Sequence, residues 1–168
     1  MPALIRPALT HQESYVEALV EYQAEGRYTQ LDLAALRHDL SGHIAELLAQ
    51  EALASQMIVP MSVFWLVEGE AFLGRVSIRH YLSSWLLRVG GHIGYDIRPS
   101  KRRLGYGSLI LQLALPEARR LGITRALLTC DEDNIGSARI IEKGGGVLED
   151  ILFIEGLPKA KRRYWIEL

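Results

Sequence analysis

Arg102-Arg103-Leu104-Gly105-Tyr106-Gly107 stands between a strand-like run over residues 91–97 and a helix-like run over residues 108–121. The two glycines let the backbone pass close to a ligand, the first N–H groups of the new helix point outward, and the helix dipole favours an anion there. Arg102 and Arg103 bring mobile or bidentate positive charge beside the turn. By themselves these six residues read equally well as a phosphate cradle and as an ordinary strand-to-helix turn with solvated arginines. The surrounding sequence decides.

Downstream, residues 125–130 form a β-branched and leucine-rich strand, and Asn134 is placed to cap a short helix that runs through Lys143 to Gly144-Gly145-Gly146. Residues 147–154 and 162–168 read as a closing hairpin around a loop at 155–161. Within 108–121, Leu109, Ile110, Leu113, Ala114 and Leu121 share a helical stripe; Pro116 predicts a kink and Gly122 a left-handed stop.

Upstream, residues 63–67 and 72–78 make a hairpin around the turn-like Glu68-Gly69-Glu70, and residues 82–89, with Trp85, read as a long turn. Residues 3–9 suggest a first strand. Thr10 with Glu13 forms a capping-box pattern for a helix reaching Gly26. Leu33, Leu36, Leu40, Ile44, Leu47 and Leu48 keep helical spacing from Asp32 to about residue 54, with Gly42 as the break between two helices. Strand, helix, strand and helix in the middle, with hairpins on both sides, define an α/β (α+β mixed) fold whose mixed sheet is covered by helices on its two faces.

The 168 residues suffice for one full-sized core, and no repeat, low-complexity tract or linker divides them, so residues 1–168 are read as a single domain. A net charge of −1 argues against a general nucleic-acid or membrane-surface binder. The lone Cys130 excludes an internal disulfide and a cysteine-based metal cluster. His38 and His43 are five apart, which does not set two ligands on one helix face, and no metal site is expected. With neither a signal-peptide core nor a long apolar span at the start, a cytoplasmic location is expected.

Two motifs carry a resemblance. Ile97-Arg98-Pro99 followed by Arg102-x-x-Gly105-x-Gly107, then Asn134-x-x-Ser137 with Ile140, Glu142-Lys143 and Gly145, resemble the paired cofactor elements of the Gcn5-related N-acetyltransferase (GNAT) family. The match spans roughly residues 63–168 and is strongest over 91–146. It implies acetyl-CoA as co-substrate, a small-molecule or peptide amine as acceptor, and a mostly antiparallel sheet with a splayed parallel strand pair, 91–97 and 125–130. Backbone groups near Ile97 would then be free to bond a pantetheine arm as an added strand. The diphosphate would meet the amides of Arg102, Arg103, Leu104, Gly105, Tyr106, Gly107 and Ser108, with Asn134 and Ser137 touching the arm.

Such a site favours direct transfer, with a backbone N–H near Ile97 serving the developing oxyanion. His92 and Asp96 are the candidate catalytic bases, although strict alternation turns both away from the face of Tyr95 and Ile97. His80 and Asp131-Glu132-Asp133 are further bases through water, with a polar loop leading to the Asn134 cap as the preferred reading of the acidic cluster. Where the family often has a thiolate-protonating tyrosine, this chain has Ile141, leaving Ser137, a water or Tyr164 as donors. That departure keeps a non-catalytic acyl-CoA sensor in play as the alternative. Glu13, Glu17, Glu21, Glu25 and Asp32 make the first helical region acidic; a rim for a cationic amine is one reading, and a solvated helix face is the preferred one. Apolar residues on the closing hairpin could pair two subunits as a homodimer.

Overall fold

The computed structural model describes residues 1–53 and 58–168. The first sheet has the order β1 (Ala3–Ile5), β2 (Met61–Glu68), β3 (Ala71–Arg79), β4 (Ile93–Ile97), all antiparallel. The second has the order β5 (Arg125–Asp131), β7 (Lys161–Glu167), β6 (Val147–Leu152), again antiparallel. The helices are α1 (Gln12–Ala24), α2 (Leu33–His38), α3 (Ser41–Ala49), α4 (Tyr106–Arg120) and α5 (Ile135–Lys143).

Each face of the first sheet has its own core. Leu66, Val76, Ile78 and Ile93 pack with Ile110, Leu111 and Ala114 of α4, and this core continues into the second sheet through Leu128, Tyr164 and Ile166. On the opposite face Trp65, Val67 and Phe72 are covered by Tyr15, Leu19 and Tyr22 of α1 and by Ile44 and Leu47 of α3. Tyr15 stacks on Trp65 with ring centroids 4.3 Å apart. Alternation along the strands builds both cores, because successive side chains leave a sheet on opposite faces.

Several sequence expectations shift. β1 stops at Ile5, two residues before Pro7, which has no N–H to give the ladder. The Thr10 and Glu13 capping box does not form: a 3₁₀ turn at Leu9–His11 precedes α1, whose N-cap His11 makes no side-chain cap bond. The second helical region breaks at Asp39 and Leu40 rather than at Gly42, which lies inside α3. Asp39 is extended, and its carboxylate accepts the Ser41 N–H at 2.8 Å, which starts the new helix. Residue 54, the expected end of that region, lies outside the described residues. Helix α4 runs on through Pro116 and is followed by Gly122 at φ +84°.

Candidate active site

β4 and β5 are neighbouring edges of the two sheets, and no ladder joins them. They meet at their roots only. Gly91 forms an isolated bridge with Leu128, the His92 N–H donates to the Leu127 carbonyl at 2.7 Å, and Gly90 N–H donates to Thr129 Oγ1 at 2.9 Å. The His92 ring adds a further stitch, its Nδ1 accepting the Leu127 N–H at 2.9 Å. Gly91 has φ +62° and a Cβ there would collide with the Leu127 carbonyl, so the root of the split demands glycine. Further along, Tyr95 reaches across from β4 to α5, its hydroxyl 3.2 Å from Ser137 Oγ. At this root Gly90, Gly91 and His92 meet Thr129, Leu128 and Leu127 in antiparallel order, and no parallel ladder of the kind expected joins β4 to β5 beyond it.

Strand register decides which backbone groups face the gap. Arg98 N–H bonds Leu73 O on β3, so alternation turns Gly94 and Asp96 toward β3 and Ile93, Tyr95 and Ile97 toward β5. With no ladder there, the N–H and C=O groups of these residues present the edge of an unfinished sheet, except that the Ile97 carbonyl accepts Arg102 Nε at 3.2 Å.

The turn after β4 combines two left-handed residues with the start of a helix. Arg103 (φ +61°) and Gly105 (φ +88°) are both left-handed, and Tyr106 opens α4, so successive N–H groups converge on a concavity at a helix N-terminus. A cleft of about 780 Å³ follows, lined by Ile97, Arg102, Arg103, Gly105, Gly107, Ser108, Asn134 and Ser137 among others. The other two sequence candidates do not line it: Leu104 is 63% exposed, and Tyr106 packs on the α4 core. Asn134 accepts the Ser137 N–H at 3.1 Å as the cap of α5.

Ion pairs tie this turn to α1. Arg98 bonds Glu21 (2.7 Å), Glu17 (3.3 Å) and Ser14 Oγ (3.1 Å), and Arg102 forks onto Glu25. Burial works against charge on Glu21, but bonds from the Ser100 N–H and from Arg98 hold its carboxyl below the usual range. The glutamates of α1 nearest the cleft are thus engaged by arginines, not presented to a cationic acceptor.

The two candidate bases are placed differently. Asp96 lines the cleft, accepting the Tyr28 hydroxyl at 2.5 Å and pairing with Arg27. His92 is 8% exposed, sits at the strand root and does not line the cleft. Burial first, and the Arg79 charge second, push its imidazole below the ordinary value. Ile141 is fully buried, and Tyr164 is spent on Glu142 at 3.0 Å. Arg27, Tyr28 and Tyr95 are cleft neighbours that the sequence did not single out. Tyr28 and Arg27 arrive from a loop after α1, with Tyr28 at φ +54°, and no sequence pattern marks such a position.

The sequence matches the family model described as Acetyltransferase (GNAT) domain over residues 4–147. The chain belongs to the GNAT family, and by class it is an acetyl-CoA-dependent N-acetyltransferase. Among solved structures it is similar to RimL, the ribosomal L7/L12 alpha-N-protein acetyltransferase in complex with coenzyme A (18% identity, TM-score 0.69, covering 99% of this chain and 94% of that one). It is also similar to the microcin C7 self-immunity acetyltransferase MccE with acetyl-CoA and AMP (15%, 0.70, 99% and 92%). A third is the acetyl transferase from Salmonella typhimurium that modifies the N-terminal serine of 50S ribosomal protein L7/L12 (19%, 0.66, 99% and 95%). At these identities the likeness carries the fold and not the acceptor. No curated protein matches the chain. Among the described residues no helix is long and apolar enough to cross a membrane.

Proposed function

We propose that the gap between β4 and β5 takes the pantetheine arm of acetyl-CoA, the turn from Arg102 to Ser108 takes its diphosphate, and the acetyl group passes directly to a primary amine. The observation that carries this reading is the missing ladder between β4 and β5, an unfinished sheet edge ending at a turn with left-handed Arg103 and Gly105 at the start of α4.

Acetyl-CoA, when bound, supplies an activated acetyl group. The chain does the rest. The Ile97 N–H is directed into the gap, where it can stabilise charge developing on the attacked carbonyl oxygen, a contact whose loss typically costs about 2.7–4 kcal/mol. Holding amine and thioester together removes on the order of 7–11 kcal/mol of barrier, which favours direct transfer. Cys130 is a buried thiol whose pKa is raised by burial, the wrong direction for an acyl-accepting nucleophile.

Asp96 is the carboxylate placed to receive the amine proton, directly or through water; His92 fixes the strand root. Ser137, hydrogen-bonded to Tyr95 inside the cleft, is the hydroxyl we assign to protonate the leaving thiolate. The free buried cysteine and the need for acetyl-CoA fit a cytoplasmic protein. Exposed Val147, Ile151 and Phe153 along β6 and the residue after it favour pairing of two copies there.

The test is acetyl-CoA-dependent thiol release against amino acids, polyamines, aminoglycosides and peptides, with CoA binding measured in parallel. Turnover with at least one amine supports the reading. CoA binding with no turnover across the panel would make the chain a sensor instead.

A further inference from the structure

Arg75 sits on β3 on the face covered by α1 and α3, directly opposite Trp65 on one side and Asp96 on the other. It is partly buried, and its guanidinium lies over the Tyr28 ring, 5.7 Å from the centroid. Its head group therefore stands beside the Tyr28 loop.

The neighbouring arginines all have oxygen partners. Arg27 pairs with Asp96, Arg98 with Glu21 and Glu17, Arg102 with Glu25, and Arg79 donates to the Gly91 carbonyl at 3.1 Å. Arg75 has no carboxylate or carbonyl partner among the described residues. Asp96, its cross-strand neighbour, is already engaged by Arg27 and Tyr28. The Arg75 guanidinium keeps contact with water and has no carboxylate among the described residues to neutralise it, and its planar fork suits a carboxylate or phosphate. Arg27 also lies over the Tyr28 ring, 5.4 Å from its centroid, which adds to the positive potential.

Position gives the vacancy its meaning. Gly74 pairs with Ile97 and Arg75 with Asp96, so Arg75 is one register step from the backbone expected to face the acetyl group. Cross-strand neighbours stand about 5 Å apart. Arg75 does not line the cleft itself, but its guanidinium lies over Tyr28, whose hydroxyl bonds the cleft residue Asp96, so an anion held there would stand beside Asp96.

We propose that Arg75 recognises an anionic group on the acceptor, so that the substrate class is an amine carrying a carboxylate or phosphate close to its nitrogen. This rests on the acetyl-transfer reading of the same site. It reverses the cationic-acceptor idea drawn from the glutamates of α1, which are bound to Arg98 and Arg102.

The experiment compares glycine, L-aspartate, L-glutamate and O-phosphoethanolamine with glycinamide, the matching amino-acid amides, ethanolamine and spermidine. Thiol release gives kcat/KM for each, and calorimetry on the CoA-saturated protein gives binding. The proposal expects anionic amines to be favoured over their uncharged counterparts by roughly 10- to 100-fold, the worth of one charged hydrogen-bonded contact. It expects Arg75→Gln to bring that ratio close to one, with the thermal midpoint reporting that the variant is folded. Should the glutamine variant not fold, Arg75→Lys serves, expected to lose most of the preference with the forked contact. The phosphate and carboxylate arms distinguish the two anions.

Equal use of glycine and glycinamide, a preference for spermidine, or a preference that survives in the variant would overturn the proposal. If no amine is acetylated but anionic amines bind in an Arg75-dependent way, acetyl transfer fails and the anion site stands.

Discussion

Arg102 and Glu25 meet fork to fork, Nη1 to Oε1 at 2.7 Å and Nη2 to Oε2 at 2.8 Å, joining the turn after β4 to the end of α1. The guanidinium proposed for the diphosphate is therefore held by a carboxylate from the element that covers the acceptor side. On the proposed reading, Glu25 and the diphosphate would compete for one side chain.

That competition has a measurable size. The pair is partly exposed, so breaking it costs only about 0–1 kcal/mol. Glu25→Gln is expected to tighten CoA binding about two- to fivefold by calorimetry, whereas Arg102→Gln weakens it about tenfold and flattens its salt dependence. Weaker binding in Glu25→Gln would mean that the carboxylate positions Arg102 rather than competing for it.

Gly105 tests the turn itself. At φ +88°, with open space where a Cβ would stand, alanine there meets a backbone penalty and no collision. Gly105→Ala should cost about 1–2 kcal/mol of stability by urea unfolding. CoA affinity should fall by more than that shift alone accounts for, because the amides no longer converge. Unchanged affinity would remove the turn from the binding site.

Much of this turn was legible in the sequence, because glycine spacing and flanking runs are local properties. Arg102, Gly105, Gly107, Asn134 and Ser137, the residues on which the family resemblance rested, line one cleft. The acceptor side was not legible. Arg27, Tyr28 and Arg75 are brought to Asp96 by a loop conformation and by strand register, neither of which leaves a local pattern. The capping box at Thr10 shows the converse: a sound local signal gave way to a 3₁₀ turn, while Ser14 took the Phe72 N–H and tied α1 to β3.

His92 should reveal itself through stability. Its folded pKa is depressed below the ordinary 6.5, so the unfolded chain binds a proton that the folded chain resists. Its contribution is complete above about pH 6.5 and is lost as pH falls from there through the folded value. Urea midpoints should drop between pH 7.5 and 5. His92→Gln, which keeps an acceptor for the Leu127 N–H, should drop less, since His43, likewise depressed by burial, retains its share. The acid limb of kcat against pH should be the same in wild type and variant; a displaced limb would make His92 the base.

Asp96 is assigned the opposite behaviour. Asp96→Asn should lower kcat/KM by about 10²- to 10⁴-fold while CoA affinity holds, as expected for removal of a proton acceptor. Tyr28→Phe, which removes the 2.5 Å bond to that carboxylate, should cost less. A loss confined to CoA binding would place Asp96 outside the chemistry.

The most direct measurement is a crystal structure of the protein grown with acetyl-CoA. The account predicts the pantetheine amides bonded to the backbone of Tyr95 and Ile97 between β4 and β5, with diphosphate oxygens on the amides that follow Arg102. Density for the nucleotide elsewhere, or β4 and β5 zipped into a continuous ladder, would contradict it.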